Sequence, residues 1–169
     1  NSGTMVREKT KMEKMLISGV AADKNVAKIR VAGLGNDPES TFRLLNLLDR
    51  NNLNIDVMIQ SLGKDGTKSV SFTVAKPDML RTIDVLNDNK DSLGIKKLDY
   101  DENVAKISVI GAGVRSHSGV AAKMFGALAN AGINTEMITT SEIRITALID
   151  EAYADQAMRA IHETFLERV

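Results

Sequence analysis

The chain has 169 residues, no cysteine, and 22 Lys+Arg against 22 Asp+Glu, for zero formal charge. That balance, with only 4% aromatics, argues against a nucleic-acid partner, which needs a basic surplus or stacking rings. The absence of cysteine excludes disulfides, thiolate metal sites and cysteine nucleophiles.

The start, Asn1 to Lys14, is polar and is no signal peptide. A chain that opens on Asn1 is expected to be a fragment, to carry a tag remnant or to have a processed start. No apolar run approaches the roughly 20 residues of a membrane span, so a cytoplasmic protein with no membrane partner is expected. Met15 to Ala21 reads as a strand with no partner of its own in the local sequence. Ala27, Ile29 and Val31 alternate with Lys28 and Arg30, the pattern of a strand with one wet face. The loop from Gly33 to Pro38 breaks it, and Pro38 suits a first helical turn. Phe42, Leu44, Leu45, Leu47 and Leu48 form a helical apolar stripe that ends near Asn51 and Asn52. Ile55, Val57 and Ile59 predict a second strand, Gly63 to Gly66 a hairpin turn, and Val70, Phe72 and Val74 a third strand. A helix follows Pro77 with Met79, Ile83 and Leu86 on one face, and Ile95 to Tyr100 is a last short strand. The order is βαββαβ, a ferredoxin-like split βαβ layout.

The pattern then repeats. Val26-Ala-Lys-Ile29 recurs as Val104-Ala-Lys-Ile107, an offset of 78 residues that grows to 80 between Leu53-Asn54 and Ile133-Asn134. Two extra residues in the second glycine loop, around Val114 to His117, account for the growth. The second copy predicts strand 105–110, helix 119–131, strands 135–139 and 143–149 and helix 153–165, and then the chain stops. It lacks a fourth strand, and the N-terminal run supplies a spare one. The expected class is therefore α+β, with the first unit inserted in the second and the N-terminal strand completing the second sheet. The expected boundaries are an extension at 1–14, the N-terminal strand at 15–25, a first unit at 26–101 and a second at 102–169.

Candidate chemistry is sparse. Gly33-Leu-Gly35 and Gly111-Ala-Gly113 follow strands and precede helices, but Pro38 and Ser116 stand where a dinucleotide fingerprint has its third glycine. Gly63 to Ser69 reads as a hairpin rather than a phosphate loop. His117 and His162 have no acidic partner at ligand spacing, so no metal and no cofactor are expected. What remains is a loop before each first helix, whose unpaired N–H groups attract a carboxylate. Beside it the next strand begins with Asn54-Ile55-Asp56, or with Asn134-Thr135-Glu136. An anion site beside a carboxylate has the polarity of a free amino acid; ordinary loop caps and edge-strand polar residues are the alternative.

At these residues the chain resembles a known family. Leu16-Ile-Ser-Gly-Val-Ala-Ala-Asp-Lys-Asn-Val-Ala-Lys-Ile29, Asn54-Ile-Asp-Val-Met-Ile-Gln60, Arg115-Ser-His-Ser-Gly119 and Met137-Ile-Thr-Thr-Ser-Glu-Ile-Arg144 are similar to the regulatory region of aspartokinases. That region carries two ACT domains, the first inserted in the second. The resemblance covers nearly the whole chain, and Gly3-Thr4 looks like the tail of a preceding catalytic domain. Met5 or Met12 would suit the start of a separately made small subunit.

The resemblance implies an allosteric module with no catalytic residues of its own, partnered by an aspartokinase catalytic domain or subunit. It implies a homodimer that binds L-lysine, L-threonine or both, each effector lying between the first unit of one chain and the second of another. The effector residues it implies are Asn36, Asp37, Ser40 and Thr41 in the first loop, then Asn54, Ile55 and Asp56, with Gln60 reaching the effector side chain. From the second unit come Val120, Ala121, Asn134, Thr135, Ser141 and Glu142. The first loop departs from the family's Asp-x-Pro-Gly, since Asn36-Asp-Pro-Glu39 moves the carboxylate one place and replaces the glycine. Thr135 also replaces the usual aliphatic residue. A constitutive assembly module with a decayed effector site is the reading that this departure would support.

Overall fold

The computed structural model describes residues 19–111, 117–141 and 143–165. These fall into two compact units, one of residues 25–104 and one running from Ala105 onward together with the N-terminal strand. In chain order the elements are β1 (Gly19–Asp23), β2 (Val26–Leu34), α1 (Pro38–Arg50), β3 (Met58–Leu62) and β4 (Lys68–Ala75). Then come α2 (Met79–Asp88), a single-turn α3 (Lys90–Leu93), β5 (Lys97–Asp101), β6 (Val104–Ile110) and α4 (His117–Asn130). β7 (Met137–Thr140), β8 (Arg144–Asp150) and α5 (Ala154–Phe165) are the last described elements, with 3₁₀ turns leading into α2 and α5.

The inserted unit is a four-stranded antiparallel sheet of order β3-β4-β2-β5. The outer unit has the order β1-β6-β8-β7, and β1 pairs antiparallel with β6 from Gly19↔Ile110 to Asp23↔Lys106. The N-terminal strand therefore supplies the fourth strand that the second repeat lacks. Each unit is an ACT-type ferredoxin-like fold, and the first is inserted in the second.

One face of each sheet carries the helices. In the inserted unit Ile29, Val31, Phe72 and Val74 meet Leu44, Leu48, Met79 and Leu86. In the outer unit Ile107, Val109, Ile145 and Ile149 meet Met124, Leu128 and Ile161. α1 begins on Pro38, whose missing N–H costs nothing at N1, and its stripe is narrower than the run of apolar residues suggests. Leu44 and Leu48 are fully buried one turn apart, whereas Phe42 is 64% exposed. At 100° per residue Phe42 lies about 200° from Leu44, on the outer face of the helix.

β3 starts at Met58, three residues later than the alternation of Ile55, Val57 and Ile59 suggests. Asp56 and Val57 both face Thr73: the Asp56 N–H bonds the Thr73 carbonyl at 3.1 Å, the Thr73 N–H bonds the Val57 carbonyl at 2.9 Å, and the Val57 N–H goes to the Thr73 hydroxyl at 3.0 Å, so the regular ladder begins only at Met58. The strand predicted at 135–139 likewise starts late, at Met137.

Truncating Phe72 to Ala leaves a cavity in a fully buried core, and urea unfolding followed by circular dichroism is expected to show a loss of about 3–5 kcal/mol. The change Phe42→Ala should cost no more than about 0.5 kcal/mol. Equal losses would contradict this assignment of the core face.

Candidate functional site

The loop before α1 is shaped by a bulge and a cap. Register slips between Ala32 and Leu34, where Gly33 takes a φ of 86°. A Cβ at Gly33 would lie 2.5 Å from the Lys96 Cβ, so both its angle and its space demand glycine. Beyond it Asp37 turns back over the helix start. Its Oδ1 accepts from the Glu39 N–H at 3.0 Å and the Ser40 N–H at 2.9 Å, and its Oδ2 accepts from the Ser40 hydroxyl at 2.7 Å. Ser40 is buried beneath it. A Cβ at Gly35 would stand 2.6 Å from Asp37 Oδ2, so a bare backbone lets the carboxylate seat. The Ser40 hydroxyl and the two backbone N–H groups hold the Asp37 carboxyl below the usual carboxylate range. Lys68 Nζ donates to the Asp37 carbonyl at 3.1 Å and ties the loop to the end of β4.

Across from the loop, the Thr41 hydroxyl donates to Gln60 Oε1, joining α1 to β3 over 19 residues of sequence. Asn54 and Asp56 are exposed and Ile55 packs on the core. The Asp56 N–H bonds the Thr73 carbonyl at 3.1 Å.

The second repeat reproduces this frame. Burial runs in the same alternation from Leu53 to Gln60 as from Ile133 to Thr140. The Leu53 N–H bonds Leu48 and the Ile133 N–H bonds Leu128, both at 2.9 Å. The Glu136 N–H bonds the Leu148 carbonyl at 2.8 Å, as Asp56 does Thr73. Val120 and Ala121 are the fourth and fifth residues of α4 and pack against the core. The Ser141 N–H bonds the Arg144 carbonyl at 2.7 Å, closing the turn from β7 to β8.

An ACT domain family model matches residues 107–165. The crystal structure of aspartokinase alpha and beta subunits has a chain 42% identical to this one, with a TM-score of 0.82 over 88% of this chain and 98% of that one. The ligand-free regulatory subunit of aspartate kinase from Thermus thermophilus is 33% identical, with a TM-score of 0.83 over 89% of this chain and 99% of that one. The chain belongs to the aspartokinase family, as a regulatory region. An aspartokinase of Pseudomonas aeruginosa is 37% identical over 166 residues, which are 96% of this chain and 40% of that protein. The chain spans about 40% of the length of the curated relatives it matches.

Against this aspartokinase frame, the structure brings together Asp37 with Ser40, and Thr41 with Gln60. Asn36 is exposed beside the cap, while Asn54 and Asn134 occupy equivalent exposed positions after their helices. Thr135 is half-buried where Ile55 is in the first repeat. Glu142 lies outside the described residues, as does the loop containing Arg115 and Ser116. Lys68 and Thr73 are the participants that motif reading passes over. The hairpin register signals Lys68, since it places that residue opposite Leu34 at the bulge. Among the described residues no group of three or more His, Asp or Glu is placed to hold a metal ion.

Replacing Asp37 with Ala removes the acceptor for two backbone N–H groups and a hydroxyl, and is expected to lower the melting temperature at neutral pH. The folded-state pKa lies below the unfolded carboxylate value of about 3.9. The cap's contribution is therefore complete above that value and is lost as pH falls through the folded pKa. The gap between wild type and variant should close toward about pH 2, and a gap that persists there unchanged would rule out an ionised cap.

Proposed function

We propose that this chain is the feedback sensor of a cytoplasmic aspartokinase, a homodimer through its ACT domains that binds L-lysine, L-threonine or both. The observation that carries the reading is the doubled frame. Two ferredoxin-like units each carry, between their first helix and the strand that follows it, Asn54-Ile55-Asp56 or Asn134-Thr135-Glu136, with the same alternation of burial. Its support from relatives is likeness to aspartokinase regulatory chains along nearly their full length.

A free α-amino acid needs an anion acceptor, a cation acceptor and a surface for its side chain. In the inserted unit the helix N–H groups nearest the loop are already taken by Asp37. An effector carboxylate would need N–H groups elsewhere, such as the side-chain amides of Asn54 and Gln60. Asp56 suits an ammonium group. In the outer unit the first turn of α4, which ends at Val120, would offer helix N–H groups to the carboxylate. An effector held across the dimer stabilises that arrangement by mass action, and the kinase domain would be less active in it. Aspartate phosphorylation belongs to that kinase domain, not to this chain.

The capped first loop is also what a constitutive assembly module would show, and sedimentation velocity without ligand separates the two readings. A sensor gains dimer with effector; an assembly module is dimeric regardless.

At one hundred times its dissociation constant an effector that binds only the folded state adds about 2.7 kcal/mol. For a chain of this size that corresponds to a rise in melting temperature of roughly 5–10 °C. Differential scanning fluorimetry with lysine, threonine and both together at millimolar concentration is expected to show such a rise. No change with any of the three would sink the sensor reading.

A further inference from the structure

Asp65-Gly66 is the one Asp-Gly pair in the sequence, which has no Asn-Gly, and it lies at the exposed tip of the β3–β4 hairpin. Such a pair can rearrange by itself. The Gly66 nitrogen loses its proton and attacks the Asp65 Cγ, one carboxyl oxygen leaves as water, and a five-membered succinimide closes. Water then reopens the ring. Opening at Cγ returns aspartate. Opening at the main-chain carbonyl carbon leaves isoaspartate, with the chain now routed through Cβ and Cγ. No co-reactant is needed, since the water lost in closure is regained in opening. Glycine favours the attack because no side chain crowds its nitrogen.

The native turn opposes that attack. Gly66, at a φ of 80°, keeps its N–H on the Gly63 carbonyl at 3.1 Å. The Asp65 Oδ1 reaches past Gly66 to accept from the Thr67 N–H at 3.0 Å and from the Thr67 hydroxyl at 2.7 Å. Gly63 makes room for it, because a Cβ there would stand 2.9 Å from the same oxygen. The Thr67 N–H and hydroxyl also hold the Asp65 carboxyl below the usual carboxylate range, and an ionised carboxylate resists attack. Nucleophile and electrophile are thus each engaged elsewhere. These bonds lie at a hairpin tip, where local opening is least costly.

Lys68 depends on this turn. It follows Thr67, pairs with Leu62 on β3 and Leu34 on β2, and its Nζ donates to the Asp37 carbonyl at 3.1 Å. The bond from the Gly63 N–H to the Thr67 carbonyl, at 2.8 Å, closes the hairpin just before it. An isoaspartate at position 65 inserts one extra backbone carbon inside that closure and shifts Thr67 and Lys68 against Leu62. We propose that Asp65-Gly66 is a self-modification site latched by Thr67, and that its isomerisation withdraws Lys68 from the loop before α1. The chemistry needs no effector and holds whether or not one binds.

Ageing the whole chain at neutral pH in heavy-oxygen water tests it, because each ring opening leaves one heavy oxygen at the residue that closed. Peptide mass mapping locates the label, and electron-transfer fragmentation tells isoaspartate from aspartate. Label is expected at residue 65 ahead of every other aspartate. Thr67→Val, which loses the hydroxyl bond, should gain label about fivefold faster. Thr67→Ser keeps a hydroxyl and should age as slowly as the native chain. Ageing should lower the melting temperature of the native chain, and lower it less in Lys68→Ala, where the tether is already gone. Circular dichroism shows which variants stay folded, and if Thr67→Val does not, the native label and the Lys68→Ala comparison decide. Label at residue 65 no faster than elsewhere, an unchanged rate in a folded Thr67→Val, a Thr67→Ser rate matching it, or an equal fall in melting temperature in Lys68→Ala would each overturn the proposal.

Discussion

The pairing of β1 with β6 is the constraint on which the architecture depends. Without β1, β6 would be the edge of the β6-β8-β7 sheet, with a row of unsatisfied N–H and C=O groups above a core that includes Ile107 and Val109. Residues 19–23, which precede the inserted unit in sequence, cover that edge. Ring closure over so many residues is less costly than it looks, because closure entropy grows only with the logarithm of length. The inserted unit also folds its own sheet and brings its ends back together. The chain enters it through Lys24 and Asn25 and leaves through Glu102 and Asn103, each a two-residue step between strands.

Duplication conserves the frame and frees the chemistry. Both repeats keep the backbone bonds that lead into β3 and β7, and both keep the same alternation of buried and exposed residues there. Around that frame the side chains diverge. Thr73, which takes the Val57 N–H, is Leu148 in the second copy. The ion pair Arg30–Asp99 becomes Ser108 and Ala21. Changes of this kind are tolerated because they lie on the helix-free faces of the sheets, where the packing of Ile29, Phe72 or Ile107 is untouched. A duplicated unit can therefore diverge in its polar side chains while its fold stays the same.

Much of this architecture was legible in the sequence, and the limits have physical causes. Val-Ala-Lys-Ile repeated at an offset of 78 residues exposed the duplication, and the missing strand in copy two predicted the role of β1. Period-two alternation placed β2, β4, β6 and β8 because each buries one face against helices. It misplaced the start of β3, since alternation records burial and not which donor satisfies each N–H; there Thr73 intervenes with a hydroxyl. Phe42 was drawn into the apolar stripe because composition was read without the angle around the helix. The motif residues Ser40, Thr41 and Gln60 were legible through resemblance, but their partners were not. Lys68 reaches Asp37 only because a bulge and a hairpin register bring residues 31 apart in sequence together.

The aberrant Asn36-Asp-Pro-Glu loop reads differently once its geometry is known. From the sequence, the concern was that Glu39 adds a side chain and a charge where the family has glycine. Glu39 is exposed, and its backbone N–H is one of the two bound by the cap. The decisive change is the aspartate shifted to the N-cap position, whose carboxylate sits where an incoming anion would seek the helix start. An external carboxylate would have to displace an intramolecular one that is tethered two and three residues away, which pays almost no translational entropy to stay bound. Gly35 and the Ser40 hydroxyl add a fitted seat on either side. The helix start at the first loop is thus occupied by the chain's own Asp37 carboxylate.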